Sequence, residues 1–207
     1  MKLNVKNGDI EFGTNILDVK VPKELRNKVK SGLDYLDCAL GGEGFTPSAV
    51  TLFTGTPGSG KTTMMLKLAD SLTRQGGVVV FNTAHIPTLL ENCDKLRAKR
   101  GNKKRPFFLI VDSLQCMDDG KYDDGHINSK SSERALGMIT NYCKEYFCNA
   151  VVIGQVNKSG QMAGTNKLMH MVDSMMELSV EEKDNDLYGC RVLQTTKNRF
   201  GGCGHTF

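Results

Sequence analysis

The 207-residue sequence lacks the long apolar runs and clustered cysteines that mark several classes of protein. No apolar run approaches the roughly 20 residues of a membrane-spanning helix, and the first residues contain no signal-peptide core. The seven cysteines show no C-x-x-C spacing, so we expect reduced thiols and no zinc site. These absences predict a cytoplasmic protein that does not enter membranes.

A strong charge imbalance is also missing. The chain has 27 Lys and Arg against 23 Asp and Glu, a formal net charge of +4. Any affinity for nucleic acid therefore depends on where the charges lie. Seven of the eleven residues at 95–105 are basic. A solvated helix end and turn is the ordinary interpretation of such a run, and contact with a phosphate backbone is the alternative.

The clearest chemistry lies in the glycine-rich stretch at 55–62. It reads Gly-Thr-Pro-Gly-Ser-Gly-Lys-Thr and fits G-x-x-x-x-G-K-[ST], the phosphate-binding loop of nucleoside triphosphatases. An apolar strand at 50–53 precedes it, and a helix with apolar residues at helical spacing follows, as the motif requires. Its glycines let backbone N–H groups converge on phosphate oxygens, while Lys61 adds charge and the Thr62 hydroxyl holds Mg²⁺. The predicted ATP-binding residues are Gly55, Thr56, Pro57, Gly58, Ser59, Gly60, Lys61, Thr62 and Thr63.

Further apolar segments predict the remaining core of an α/β protein. Strands at 78–81, 107–112 and 150–155 alternate with helices, which is typical of a parallel sheet. The second ends in Asp112, where an acid reaches the Mg²⁺ shell beside the phosphate loop, so Thr62 and Asp112 are the predicted metal ligands. Gln155 ends the third, where its amide is placed to contact the γ-phosphate, although a plain strand-end glutamine explains it equally well. Strands at 175–180 and 191–196 predict a C-terminal β-hairpin.

Several segments resemble the RadA/Sms family of RecA-like recombinase ATPases. They are 28–42, 110–115, 154–164, 168–173 and, most specifically, Lys197-Asn-Arg-Phe-Gly201, which matches the KNRFG signature of that family. The resemblance implies a RecA-like P-loop core with a mostly parallel central sheet flanked by helices, over residues 26–207. Residues 1–25 are then an N-terminal arm or leader. The zinc module and the Lon-protease-like domain of the family have no counterpart, so we expect a reduced relative from a bacterial or phage-infected cell.

The same resemblance implies an assembly. Family members form rings or filaments with ATP held between neighbours and single-stranded DNA at the axis. Lys197 and Arg199 would then reach the γ-phosphate of the adjacent subunit, although both residues also suit a solvated strand end. Two loops, 118–130 and 157–166, would meet the DNA without base preference. The predicted DNA-binding residues are Lys121, Lys130, Lys158, Gly160, Gln161, Gly164 and Lys167.

One position departs from the family pattern. After the second core strand the family carries a glutamate that activates the attacking water, and this sequence has His85 there. A neutral imidazole can act as a base but lacks the carboxylate's charge, so rapid hydrolysis is in question. The predicted catalytic residues are Lys61, His85, Asp112, Gln155, Lys197 and Arg199.

Three functions follow from these patterns. The first is a DNA-dependent ATPase, a RadA-like motor or recombinase that binds single-stranded DNA as an oligomer in recombination, repair or replication. The second is a nucleotide-gated DNA-binding or annealing protein with little hydrolysis, which His85 favours. The third is a small-molecule P-loop kinase, which the 197–201 segment and the lack of an Arg-rich lid disfavour.

Overall fold

The computed structural model describes residues 5–6, 9–10, 22–82, 85–122, 124–128, 130–155, 165–183, 186–204 and 206–207. A short antiparallel pair comes first, and strands then alternate with helices up to a final pair of strands. The elements are β1 (Val5–Lys6), β2 (Asp9–Ile10), α1 (Asp34–Ala39), β3 (Val50–Gly55), α2 (Lys61–Arg74), β4 (Val78–Asn82), α3 (Ile86–Ala98), β5 (Phe107–Val111), α4 (Ser131–Tyr146), β6 (Asn149–Ile153), α5 (Thr165–Met171), β7 (Ser174–Val180) and β8 (Arg191–Asn198).

Six strands form one sheet in the order β4-β5-β6-β3-β7-β8. All neighbours pair in parallel except β7 and β8, which form the antiparallel C-terminal hairpin. The predicted mostly parallel α/β fold with a C-terminal hairpin is therefore confirmed. The parallel strands all end along one side of the sheet, here called the carboxyl edge, and begin along the other, the amino edge. The carboxyl edge is where such folds bind ligands.

Apolar side chains cover both faces of the sheet. One cluster packs α1 and α2 on the sheet through residues such as Leu36, Leu68 and Phe108, and the other packs α3 and α4 through residues such as Leu89 and Ile139. Every residue of β5 is buried, as expected for an inner parallel strand covered on both faces. Each fully buried side chain of this kind contributes roughly 1.5–3 kcal/mol to the stability of the fold. The two clusters therefore stabilise the sheet and the positions of its strand ends.

The start of α3 differs from the sequence-based expectation. The periodic apolar residues predict a helix from Thr88, whereas the helix begins at Ile86. His85 caps it, because its Nδ1 accepts the backbone N–H of Thr88 at 3.2 Å. Pro87 then lies in the first turn, where a missing N–H leaves no helical hydrogen bond unmade.

Several negative findings apply to the described residues alone. Within those ranges, no helix combines the length and apolar character needed to cross a membrane. Over the same ranges, no three His, Cys, Asp or Glu side chains are grouped as a metal site would require. The seven cysteines are all free thiols.

Candidate nucleotide-binding site

The predicted phosphate loop forms the turn between β3 and α2 at the carboxyl edge. Gly58 and Gly60 have φ angles of +81° and +96°, a region that residues with a Cβ seldom adopt. The Ser59 hydroxyl fastens the turn by donating to the Thr56 carbonyl at 2.9 Å. Lys61 is the first residue of α2, so the unpaired N–H groups and positive dipole end of the helix meet the same turn. A turn of this form binds anions.

Lys61 folds back over this turn and is only 8% exposed. Its ammonium donates to the carbonyls of Gly55 at 2.8 Å and Thr56 at 2.7 Å. Burial lowers the pKa of Lys61, and the nearby Asp112 carboxylate opposes that shift. An anionic phosphate oxygen is a stronger acceptor than a neutral carbonyl. Lys61 is therefore placed to exchange these carbonyls for a phosphate.

Thr62 and Asp112 bring the helix and the strand end together. The Thr62 hydroxyl donates to Asp112 Oδ2 at 2.6 Å, and the Asp112 backbone N–H donates to the carbonyl of Asn82 at 3.1 Å, beside the end of β4. A hydroxyl and a carboxylate are oxygen ligands of the kind that Mg²⁺ prefers, so the pair fits the ion of a bound nucleotide. Mg²⁺ held by Thr62 and Asp112 would supply positive charge to the phosphate oxygens of the nucleotide.

A cavity of about 440 Å³ joins these groups. Its volume is within the usual range of small-molecule sites, roughly 300–1,000 Å³. Two thirds of the predicted phosphate-loop residues meet Asp112 and Gln155 around it, so the turn after β3, the start of α2, the segments after β5 and β6 and the first residue of β8 converge. The lining residues are Pro57, Gly58, Gly60, Lys61, Thr62, Thr63, Asp112, Gln155 and Arg191.

Gln155 is fixed in place by Gln115, a residue that the sequence analysis did not assign a role. The Gln115 side-chain amide donates to the Gln155 carbonyl at 3.1 Å and accepts the Gln155 backbone N–H at 3.2 Å. This double hydrogen bond ties the segment after β5 to the end of β6. The available signal was the position of Gln115 at the end of the RadA-like segment 110–115.

Arg191 is a second residue that sequence reasoning missed. It begins β8, and its Nε donates to the carbonyl of Ser59 at 2.9 Å, a contact across 132 positions of the chain. A Cβ at Gly60 would come within 2.8 Å of this Nε. Glycine at position 60 is therefore favoured by the backbone angle, and a Cβ there would displace the Arg191 side chain. No local pattern in the sequence indicates this contact.

His85 lies outside the residues that line the nucleotide cavity. Its Nδ1 is 2.8 Å from the Thr88 hydroxyl and accepts the Thr88 backbone N–H, and its Nε2 is 3.8 Å from Asp118 Oδ2. Because Nδ1 is an acceptor, the neutral ring carries its proton on Nε2. Neither nitrogen then offers a free lone pair to an attacking water.

Lys197 and Arg199 both hold the segment that follows α5. The Lys197 ammonium donates to the carbonyls of Met169 and Val172. Arg199 forms an ion pair with Asp173 at 3.0 Å. Burial, followed by the adjacent Arg199 charge, lowers the pKa of Lys197. Both cations are therefore partnered by groups of their own chain.

The pairing of β8 places these two cations at the amino edge. Asn198, which lies between them, pairs with Ser174, the first residue of β7. A strand of five residues spans roughly 17 Å, and the nucleotide cavity lies at the other end of the strands. Lys197 and Arg199 are thus a full strand length from the phosphate loop of their own chain.

Three of the predicted DNA-binding residues are described, and all follow the carboxyl ends of β5 or β6. Lys121 has its ammonium 5.5 Å from the ring centroid of Tyr122, Lys130 precedes the first residue of α4, and Lys167 forms an ion pair with Glu133. The other four lie outside the described residues. They are Lys158, Gly160, Gln161 and Gly164.

Known proteins with similar sequences carry the name DNA repair protein RadA. The protein from Campylobacter jejuni is 30% identical over 81% of this chain and 41% of its own length. The protein from Aquifex aeolicus is 28% identical over 88% of this chain and 44% of its own length. The chain thus spans about two fifths of the length of these curated relatives.

The chain is also similar to a solved structure and, over part of its length, to a protein family. A solved ATPase domain matches with a TM-score of 0.67 over 86% of both chains, at 14% sequence identity. The zeta toxin family matches residues 43–107, a segment around the phosphate loop that is less than half of the chain. The chain therefore has a RadA-like P-loop ATPase core with a RecA-like fold.

Proposed function

We propose that this chain binds ATP and Mg²⁺ at the carboxyl edge, assembles with ATP between neighbouring copies, and acts on single-stranded DNA in recombination, repair or replication. The observation that carries the proposal is the Thr62–Asp112 hydrogen bond beside the buried Lys61 ammonium, at the mouth of a glycine-lined turn. The name shared by its relatives, DNA repair protein RadA, supports the DNA process.

The position of Lys197 and Arg199 supports an assembly. Because both lie at the amino edge, they reach a phosphate only in another copy whose carboxyl edge faces them. The acceptors of Lys197 are backbone carbonyls, and a γ-phosphate is a stronger acceptor than a carbonyl. Arg199 also donates to the carbonyl of His170, a contact that it could exchange for a phosphate while it keeps its ion pair with Asp173. A trans-acting arginine and lysine would stabilise the charge that develops during phosphoryl transfer. Oligomerisation then becomes a condition for hydrolysis.

Steady-state ATP hydrolysis, measured with and without single-stranded DNA, tests this function. The blank is the Lys61→Ala variant, which loses the phosphate contact but keeps the surface of the protein. We expect turnover above the blank that rises when single-stranded DNA is added. Wild-type turnover that ignores DNA, in a protein that stays monomeric with ATP, would contradict the proposal.

A second candidate function is a nucleotide-gated DNA-binding or annealing protein with little hydrolysis. The surroundings of His85 favour it, since at the position where the family carries its glutamate Nδ1 already accepts the Thr88 N–H and Nε2 faces Asp118 Oδ2 at 3.8 Å. In the same assay this candidate predicts turnover equal to the blank together with DNA binding that requires ATP. Binding is measured on the same samples by the anisotropy of a labelled oligonucleotide.

A further inference from the structure

A cavity of about 520 Å³ opens at the amino edge, at the opposite end of the strands from the nucleotide cavity. Its floor includes Gly77, Phe107 and Asn149, where β4, β5 and β6 begin. The C-terminal part of α3, the basic run after it and the end of α4 form its walls. We call one part of this cavity the basic groove; it is lined by Arg97, Lys103, Lys104, Arg105, Tyr146 and Phe147.

The lining of the basic groove is strongly positive. Six Lys or Arg side chains line the whole cavity against one acid, Glu24, and four of the six lie in the basic groove. Two of the six already have acidic partners, Lys28 with Glu43 and Arg97 with Asp94. Arg105 already has partners within the fold, since its guanidinium donates to two backbone carbonyls just after the end of α2. Lys103 and Lys104 are exposed, and in the described part of the chain their ammonium groups meet no ion-pair or hydrogen-bond partner. A concave surface with this balance attracts a polyanion.

Aromatic rings stand beside these charges. The Arg97 guanidinium lies 3.8 Å from the ring centroid of Tyr146, whose ring lies 4.7 Å from that of Tyr142. Phe147 follows α4 and is 38% exposed. Its φ of +53° is in the left-handed region, where a helix end favours glycine or asparagine. A bulky residue is uncommon in that conformation, and the exposed ring is available to a ligand of the groove.

We propose that the basic groove binds single-stranded nucleic acid without ATP and without base preference. Lys103 and Lys104 contact backbone phosphates, and an unpaired base stacks on Phe147. A duplex satisfies the charges but keeps its bases stacked inside, and an acidic peptide offers charge without base rings. This site goes beyond the proposed function, because it uses neither the nucleotide cavity nor the loops at 118–130 and 157–166.

The test measures nucleotide-free binding of a fluorescein-labelled oligothymidine of about 20 nucleotides by anisotropy, at several salt concentrations. Lys103→Ala with Lys104→Ala removes the two uncommitted charges of the groove. The matched control, Lys99→Ala with Arg100→Ala, removes two exposed charges from the same basic run that do not line the groove. Phe147→Asn removes the ring and retains a residue suited to positive φ. Thermal melting confirms that all variants fold.

We expect the variant with Lys103→Ala and Lys104→Ala, the groove variant, to bind about tenfold more weakly. The slope of log affinity against log salt concentration should be shallower by about 1.4, because each of the two lost phosphate contacts contributes about 0.7. Phe147→Asn should weaken binding by roughly fivefold or more, and the control by less than about twofold. Equal losses of affinity in the two double variants would show that binding depends on the diffuse charge of the basic run and would overturn the groove as a site. An unchanged Phe147→Asn variant, or a duplex or polyglutamate that competes as well as the single strand, would overturn base stacking and with it the proposed ligand.

Lys61→Ala separates this inference from the proposed function. If the groove acts alone, this variant keeps nucleotide-free binding and loses only the part that ATP adds. If oligonucleotide binding required ATP, and the groove variant retained that binding in full, the groove would be overturned as a binding site. The proposed function would still stand.

Discussion

Lys61 and Lys197 have similar surroundings at opposite edges of one sheet. Each ammonium donates to two backbone carbonyls, and burial lowers the pKa of each. Their second neighbours differ. For Lys61 the Asp112 carboxylate opposes this lowering of the pKa, whereas for Lys197 the Arg199 charge adds to it and the Asp173 carboxylate opposes it. Lys61 also adjoins a turn that gathers backbone N–H groups, and Lys197 adjoins the carbonyl end of α5, which repels an anion.

This difference shows that the contacts of a lysine do not identify its role. Lys61 has, in its own chain, everything needed to receive a phosphate. Lys197 has Arg199 and Asp173 beside it and, within the described residues, no glycine-rich turn next to its ammonium. Under the proposed function it would therefore complete a site in another copy. The predictions below test that contrast, from the largest expected effect to the smallest.

Removing the ammonium at the carboxyl edge should remove nucleotide binding. Lys61→Ala loses up to two charge-assisted hydrogen bonds to phosphate, each worth about 1.5–3 kcal/mol, so ATP affinity should fall by on the order of a thousandfold or more. Titration with a fluorescent ATP analogue measures the effect. Arg74→Ala, at the exposed far end of the same helix, is the control. Tight binding by Lys61→Ala would show that the phosphate-loop assignment is wrong.

Removing the cations at the amino edge should leave nucleotide binding intact and stop hydrolysis. Lys197→Ala with Arg199→Ala should turn ATP over about a thousandfold more slowly, the loss typical of a missing arginine finger. Mixing this variant with Lys61→Ala then restores part of the rate. The first supplies intact nucleotide cavities, and the second supplies intact cations.

Complementation is the decisive readout for the trans arrangement. It is measured as ATP turnover across a series of mixing ratios, with each variant alone as the control. A mixture no faster than its components, in samples where mixed oligomers are shown to form, would place Lys197 and Arg199 in structural roles within their own chain.

Asp173 supports the amino edge, and its loss should destabilise the fold. Its Oδ2 accepts the backbone N–H of Val50 at 3.0 Å while Oδ1 accepts from Arg199. In Asp173→Asn one of these donors must face an amide N–H₂, so we expect a loss of about 1.5–3 kcal/mol in unfolding free energy. Asp70→Asn breaks an exposed pair with Arg74 and should cost about 0.5 kcal/mol or less. Urea denaturation compares them, and equal costs would contradict the buried role of Asp173.

Arg191 should have the smallest effect on the carboxyl edge. Arg191→Ala removes one hydrogen bond to the Ser59 carbonyl, worth about 1 kcal/mol, and loosens the turn that binds phosphate. ATP affinity should therefore fall by about fivefold, measured by the same titration. Lys183→Ala removes a charge from the connection between β7 and β8 and should leave affinity unchanged. Equal affinities in Arg191→Ala and the wild type would show that the turn holds its form without this contact.

The sequence predicted the elements whose signals are local. The strands at 50–53 and 107–112 are mostly apolar runs and the glycine-rich turn is encoded by consecutive residues, so the structure has strands and a turn at these positions. The start of α3 was misjudged by two residues because Pro87 interrupts the helical pattern, although a proline is tolerated in a first turn. The boundary at residue 25 between arm and core stays a prediction.

The residues that reasoning missed act through distant contacts. Gln115 holds Gln155 from 40 positions away and Arg191 reaches Ser59 from 132 positions away. Hydrophobic periodicity and turn chemistry report on neighbours within a few residues, so neither contact has a signal of that kind. The basic run at 95–105 was visible as charge, but its position across a groove from Phe147 was not.

By itself, the sequence determined that the chain folds as a parallel α/β protein with a phosphate loop, since alternating apolar runs and a glycine-rich turn encode both. Tertiary structure alone decided which edge each charge occupies. The antiparallel return of β8 carries Arg191 to the phosphate loop and leaves Lys197 and Arg199 at the amino edge, because strand pairing fixes which end of a segment meets which end of the sheet. The physical reason is that direction and register of pairing are set by packing between distant segments.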